Sequence, residues 1–207
     1  MSGAEALLDL TQRLLPRGFG CAALVLDEGY IRDLLPAEAA VIQRAVPKRQ
    51  KEFATGRAAL RLAISRAGHD LAADRPILPR ADRVPDLPAG VRASLSHSGG
   101  FCVAVAAPAG GPSVGVDLEP CDTALPDGLA ATVAPYRMSP DQPLLAFCVK
   151  EAMFKAQYPL TGQMLDFSAV PAVLRGDRVR ACMGTRLIGA RWGRAAGCFL
   201  AVSLFRG

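Results

Sequence analysis

Lysine is almost missing from this chain. Of its 24 basic residues 20 are arginine, and the four lysines stand at 48, 51, 150 and 155, so two short segments hold them all. Histidine occurs twice, tryptophan once, and aromatics make up only 6%. A module that stacks on nucleic-acid bases interleaves aromatics with its basic residues, so their scarcity speaks against nucleic acid as the partner despite a net charge of +5. The six cysteines form no CxxC pair and no Cys/His metal spacing. That excludes a zinc scaffold or a disulfide framework and leaves reduced, mostly buried thiols. No apolar run reaches the length of a membrane span, and the first ten residues carry an early acid and no basic n-region. No membrane association and a cytoplasmic location are expected. Short-period repeats and low-complexity tracts are also absent.

What is present suits a globular fold. With 51% hydrophobic and 21% charged residues over 207 positions, the chain can bury roughly 70% of its unfolded surface, as one domain or as two small halves sharing a core. Pro108-Ala109-Gly110-Gly111-Pro112 lies near the middle and marks the expected join, giving halves 1–110 and 111–207. Pro36 and Pro47 each suit the first position of a helix, and Phe53, Gly56, Leu60, Ile64 and Ala67 follow at helical spacing with Gly68 as a stop. Residues 93–98, a Gly99-Gly100 turn and 101–107 read as two strands, 113–120 as a third and 198–205 as a last. Ser139-Pro140 is expected to open a helix running through Lys155. The class is therefore α+β, each half a helix packed on a small antiparallel sheet.

Four segments carry chemistry. In a strand Asp117 and Glu119 project to one side about 7 Å apart, near enough to share a hard cation such as Mg²⁺, although a solvated strand end is the plain alternative. Glu151 and Lys155 share a helix face, as an ion pair or as site residues, and Lys150 adds a second cation beside them. His97, between two serines at a glycine-rich corner, suits a phosphate or a capping role. Ser96-His97 is no hydrolase nucleophile elbow, and His69 reads as solvated. Lys48, Arg49, Lys51, Arg57 and Arg61 gather on one helix, as an anion site or a solvated basic face, with Arg80 and Arg83 in a proline-rich loop further on.

In order along the chain, Lys48-Arg49-Gln50-Lys51-Glu52-Phe53-Ala54-Thr55-Gly56-Arg57, Ser94-Leu95-Ser96-His97-Ser98, Val114-Gly115-Val116-Asp117-Leu118-Glu119 and Phe147-Cys148-Val149-Lys150-Glu151-Ala152-Met153-Phe154-Lys155 together resemble the 4′-phosphopantetheinyl transferases. The type resembled is the long pseudo-dimeric one, which includes the enterobactin- and surfactin-activating enzymes; Glu-Phe-x-x-Gly-Arg points to the enterobactin-like branch. The resemblance implies two halves related by a pseudo-twofold, with coenzyme A in the cleft between them. The activity implied is transfer of the phosphopantetheine arm to a serine of an acyl, peptidyl or aryl carrier protein, releasing 3′,5′-ADP. It also makes Asp117, Glu119 and Glu151 the Mg²⁺ ligands, puts Lys155 on the diphosphate with Lys150 nearby, gives Ser96 and His97 to the nucleotide's phosphates, and places Arg49, Arg57 and, more loosely, Arg83 at the nucleotide end. Phe147-Cys148 stands where the family often has Trp followed by Ser or Thr, which alters packing.

Attack by a serine hydroxyl on a diphosphate needs charge neutralised and groups positioned, which a cation and Lys155 can supply. Glu151 is the nearest base for the serine proton, directly or through a water on the metal, and Asp117 and Lys155 complete the catalytic set. The expectation is a monomeric enzyme serving siderophore or other secondary-metabolite assembly. Its rivals are a basic nucleic-acid-binding module and a metal-dependent nucleotide hydrolase that needs no carrier.

Overall fold

A computed structural model describes residues 1–137 and 142–207. The chain opens with helix α1 (Gly3–Leu14), started by a capping box in which Ser2 and Glu5 satisfy each other's backbone N–H groups. Strand β1 (Gly20–Val25) and a short 3₁₀ turn lead to α2 (Pro36–Ile42) and the 20-residue α3 (Pro47–Arg66). Both helices begin on the prolines expected to start them, and Gly68, at φ 84°, follows the end of α3. Strands β2 (Ala93–Ser98) and β3 (Phe101–Ala106) flank Gly99 and Gly100, whose positive φ values of 58° and 82° make the tight hairpin turn. Next come β4 (Ser113–Pro120), the short α4 (Leu129–Val133) and β5 (Tyr136–Arg137), α5 (Pro143–Thr161), then β6 (Ala172–Arg175), β7 (Arg178–Met183), β8 (Arg186–Ala195) and β9 (Cys198–Phe205). The expected helix start at Ser139-Pro140 lies outside the described residues.

Two sheets result. The first is antiparallel, ordered β1-β3-β2; the second is ordered β4-β9-β8-β7-β6-β5, antiparallel except for the β5/β6 pair at its far edge. The architecture is α+β, and its two sheets share one plan. In each, the first strand pairs with the last and the last with the one before it, while a long helix lies across the first strand. The crossings match in detail: a Cβ on Gly20 would stand 1.9 Å from the Ala63 carbonyl of α3, and one on Gly115 2.0 Å from the Ala152 carbonyl of α5. Only glycine permits such a close approach of strand to helix.

The core is continuous across both units. Leu60 and Ile64 of α3 pack on Cys102 and Ala104, Met153 and Ala156 of α5 pack on Phe199 and Ala201, and between them Leu7, Val105, Val116 and Leu200 form a cluster that joins the sheets. β2 lies alongside β4. No helix among the described residues is long and apolar enough to cross a membrane. All six cysteines are free; Cys121 is half-buried and Cys182 exposed, the rest buried.

Candidate active site

The seam between β2 and β4 carries no backbone ladder, and serine hydroxyls take its place. Side chains two apart on a strand share a face, so Ser94, Ser96 and Ser98 all reach toward β4. Ser94 accepts from the Val116 backbone N–H at 3.2 Å, Ser96 donates to Asp117 Oδ1 at 2.9 Å, and Ser98 stands by Glu119, where it opposes the rise of the Glu119 carboxyl. Lys155 reaches the same spot from α5: its Nζ donates to Asp117 Oδ1 at 2.6 Å and to Ser96 Oγ at 3.3 Å. Asp117 is 3% exposed, and among the described residues its second oxygen, Oδ2, is buried with no hydrogen-bond partner. A bare, buried carboxylate oxygen is expensive unless something positive meets it.

Glu119 and Glu151 stand in the same field. Burial, then the neighbouring Asp117 charge, pushes the Glu119 carboxyl up to about 7, with Glu151 adding to the rise and Lys155 opposing it. Burial and Asp117 likewise raise Glu151. Burial pulls the Lys155 ammonium down, but Asp117 and Glu151 outweigh it and hold it above its ordinary value. Three crowded carboxylates with one cation are a charge deficit that a further hard cation would relieve. Among the described residues no three His, Cys, Asp or Glu side chains already stand in a chelating set, as expected while Lys155 holds one Asp117 oxygen. The donor set is all oxygen, which fits Mg²⁺.

A cleft of about 650 Å³ opens beside this cluster, walled by α3, β2, the loop around Pro79–Pro85, and α5. Lys155 lines it, as do Arg49, Arg57, Arg83 and His97. Arg49 Nη1 lies 3.4 Å from His97 Nε2 and 3.5 Å from Glu52. Burial, with Arg49 and Lys155 nearby, lowers the His97 pKa against the pull of Glu52, so the ring is neutral at pH 7. Arg57 is buried under its own helix: Nε donates to the Ile77 carbonyl at 2.6 Å and the guanidinium lies 4.0 Å from the Phe53 ring centre. Burial brings its pKa down to about 10, which leaves it charged. Arg83 adopts φ 68°, uncommon for a residue other than glycine, in the loop that forms the cleft rim. Phe154 and Tyr158, with ring centres 5.1 Å apart, form the α5 wall.

The structure thus brings Asp117, Glu119, Glu151, Lys155 and Ser96 into one cluster, and Arg49, Arg57, Arg83 and His97 onto the adjoining cleft. Two expectations change. Lys150 is 1% exposed and its ammonium donates to the Phe167 and Pro135 carbonyls at 2.6 and 3.2 Å, which removes it from the cofactor-binding set. The cause is helical geometry, since one residue turns about 100° away from Glu151. Ser96, which stays in the cluster, donates its hydroxyl to Asp117. His69 is not simply solvated either, for its Nε2 lies 2.8 Å from the Ala107 carbonyl. Spacing alone assigns no role to Glu52, Ser94, Ser98 or the Phe154/Tyr158 wall, although the Ser-x-Ser-x-Ser alternation carries a signal for the seam.

A cationic cleft that ends on clustered carboxylates is the architecture of a protein built for a phosphate-rich ligand. Comparison with known proteins gives that class a family. A profile described as the 4′-phosphopantetheinyl transferase N-terminal domain matches residues 37–107. The chain is 43% identical to the 4′-phosphopantetheinyl transferase Svp of Streptomyces mobaraensis over 157 residues, covering 70% of this chain and 62% of that one. It is 37% identical to PptT of Mycobacterium tuberculosis, covering 64% and 62%, and 36% identical to Npt of Nocardia iowensis over 171 residues, covering 76% and 73%. The match spans 62% of the length of the first two relatives. The chain belongs to the 4′-phosphopantetheinyl transferase family.

Proposed function

We propose that the protein transfers the 4′-phosphopantetheine arm of coenzyme A to a serine of an apo acyl, peptidyl or aryl carrier protein and releases 3′,5′-ADP. The observation that carries this reading is the Lys155–Asp117 contact at 2.6 Å on the border of the cation-lined cleft, with Glu119 and Glu151 beside it. Arg49, Arg57 and Arg83 hold the phosphates at the nucleotide end, and His97, kept neutral, offers a hydrogen bond there. Lys155, kept protonated, meets the diphosphate and stabilises charge that develops on it. Asp117, Glu119 and Glu151 would hold Mg²⁺, which when bound supplies charge neutralisation on the diphosphate. Ser96 and Ser98 orient Asp117 and Glu119 as positioning residues. Glu151 is the nearest carboxylate to take the proton of the acceptor serine, directly or through a water. The acting species would be a cytoplasmic monomer serving siderophore or other secondary-metabolite carriers, with halves 1–110 and 111–207 as its units.

The test is incubation with coenzyme A, Mg²⁺ and several apo carriers, read as a mass gain of one phosphopantetheine on the carrier. Asp117→Ala and Glu151→Ala should abolish the gain, and a chelator should do the same to the unaltered protein. Full transfer by both variants would overturn the site assignment.

A further inference from the structure

The chain's net charge has an address. Residues 172–195 hold six arginines and one aspartate, so this stretch carries +5, the whole excess of the chain, and the other residues balance to zero. These residues form β6, β7 and β8. Val179, Ala181, Ile188 and Ala190 face the core under α5, so strand alternation turns Arg178, Arg180 and Arg191 to the opposite face, with Arg175 and Val173 beside them. Helix α1 covers only the β8/β9 side of that face.

The register sharpens the point. Arg175 stands opposite Arg178, and Arg178 opposite Arg191, three like charges in one row across three strands. Like charges directly opposed in a sheet cost stability. Only Arg191 is paired, with Asp177 at 2.6 Å; among the described residues Arg175, Arg178 and Arg180 have no carboxylate within ion-pair distance. Interleaved with them, Leu187 is 73% and Val173 41% exposed. A groove of about 430 Å³ runs from Arg178, Arg180 and Arg191 to Leu15 and Pro16, and it shares Pro16 and Leu204 with a second groove of about 410 Å³ that ends at Arg206. No carboxylate lines either one.

We infer that this open sheet face is a docking surface for an acidic segment of another protein, one that alternates carboxylates with apolar side chains. Carboxylates on the segment would relieve the arginine row, and its apolar side chains would cover Leu187, Val173 and the Leu15–Pro16 groove. Nucleic acid fits less well, because no aromatic is interleaved with the arginine row, Phe19 lining only the second groove, and because it gives the exposed Leu187 nothing to meet. The face lies on the side of the sheet away from α5, so a segment seated there leaves the cleft open. It is an attachment point, separate from the acceptor position beside Lys155.

The experiment titrates the full chain into a fluorescein-labelled peptide alternating Glu and Leu, with three further probes: a Glu/Ser peptide, a single-stranded oligonucleotide, and phosphatidylglycerol vesicles. Saturable binding of the Glu/Leu peptide is expected, weaker with Glu/Ser, weakened about tenfold by Arg178→Glu/Arg180→Glu, unchanged by Arg44→Glu, and not displaced by coenzyme A. Both reversed arginines are exposed, and a thermal melt checks that the variant folds. Binding that survives Arg178→Glu/Arg180→Glu overturns the inference, and so does competition by coenzyme A. Tighter binding of the oligonucleotide or the vesicles through the same arginines overturns it in favour of those partners.

Discussion

Replacing Lys155 by methionine tests the centre of the site through stability rather than activity. Among the described residues its ammonium is the one cation bonded to Asp117, whose side chain is 4% exposed and whose other oxygen has no hydrogen-bond partner. Removing one member of a buried pair costs about 3–5 kcal/mol, because the other charge is left uncompensated. Lys155 is itself 28% exposed, which lets water reach the pair and puts the loss near the low end, about 3 kcal/mol. For a chain of this size each kcal/mol moves the melting temperature by about 2–4 °C, so Lys155→Met should melt about 6–12 °C lower at pH 7.5 in a metal-free buffer. Asp117→Asn in the same background removes the stranded charge. The double variant should therefore be more stable than the sum of the singles predicts, with a coupling of about 2 kcal/mol in urea titrations. Methionine keeps most of the lysine stem's apolar packing, so a cavity does not explain the loss. A drop smaller than about 2 °C, or strict additivity in the cycle, would refute the claim that this pair is desolvated and that Asp117 depends on a cation.

Glu119→Gln separates stability from function. A carboxyl raised to about 7 in the fold contributes stability that is complete below its unfolded pKa and is lost as pH rises through 7, so the variant should gain about 2 kcal/mol over the unaltered protein at pH 8, nothing at pH 4, and lose carrier modification. An equal change at both pH values in denaturant titrations would argue against a titrating Glu119. Gly20→Ala and Gly115→Ala should each prevent native folding, because the new Cβ meets a helix carbonyl at about 2 Å and neither backbone can yield; circular dichroism of either variant showing an unchanged melt would contradict the crossing geometry. Lys150→Met should retain transfer activity, since the Pro135 and Phe167 carbonyls also accept from the Ala172 and Val170 N–H groups. Burial brings the Lys150 ammonium down to about 8; the charged form is thus penalised in the fold, and stability should rise from pH 8 toward 10.5 in the unaltered protein by about 2 kcal/mol more than in the variant.

What could be read in advance follows from which physical signal each segment carries. α3 and α5 are long, and α3 shows a helical repeat behind Pro47; β3, β4 and β9 are runs of buried apolar residues between turn signals, so their existence and type were legible. α1, β1 and β6–β8 were not. β1 is short and rich in glycine and alanine, while Arg178-Val179-Arg180-Ala181 is a two-residue alternation that a count of charges hides. The same distinction separates the residues that the fold brings together from the one that it turns away. Asp117, Glu119, Glu151 and Lys155 are spaced at strand and helix periods, so one face follows from spacing alone, whereas Lys150 is adjacent to Glu151 and adjacency on a helix means divergence. Ser96 and His97 diverge for the strand version of that reason, one toward Asp117 and one toward Arg49. Charge behaves likewise: the +5 total chooses among no partners. Alternation turns it into a row of opposed arginines on the sheet face away from α5, while the lysine at 155 works against Asp117 on the other side of the fold. The two clusters answer different needs, and a net charge could not have distinguished them, because the cleft's cations stand beside carboxylates, Glu52 and Asp82 on its lining and Asp117 against Lys155, while no carboxylate lines the groove on the sheet face.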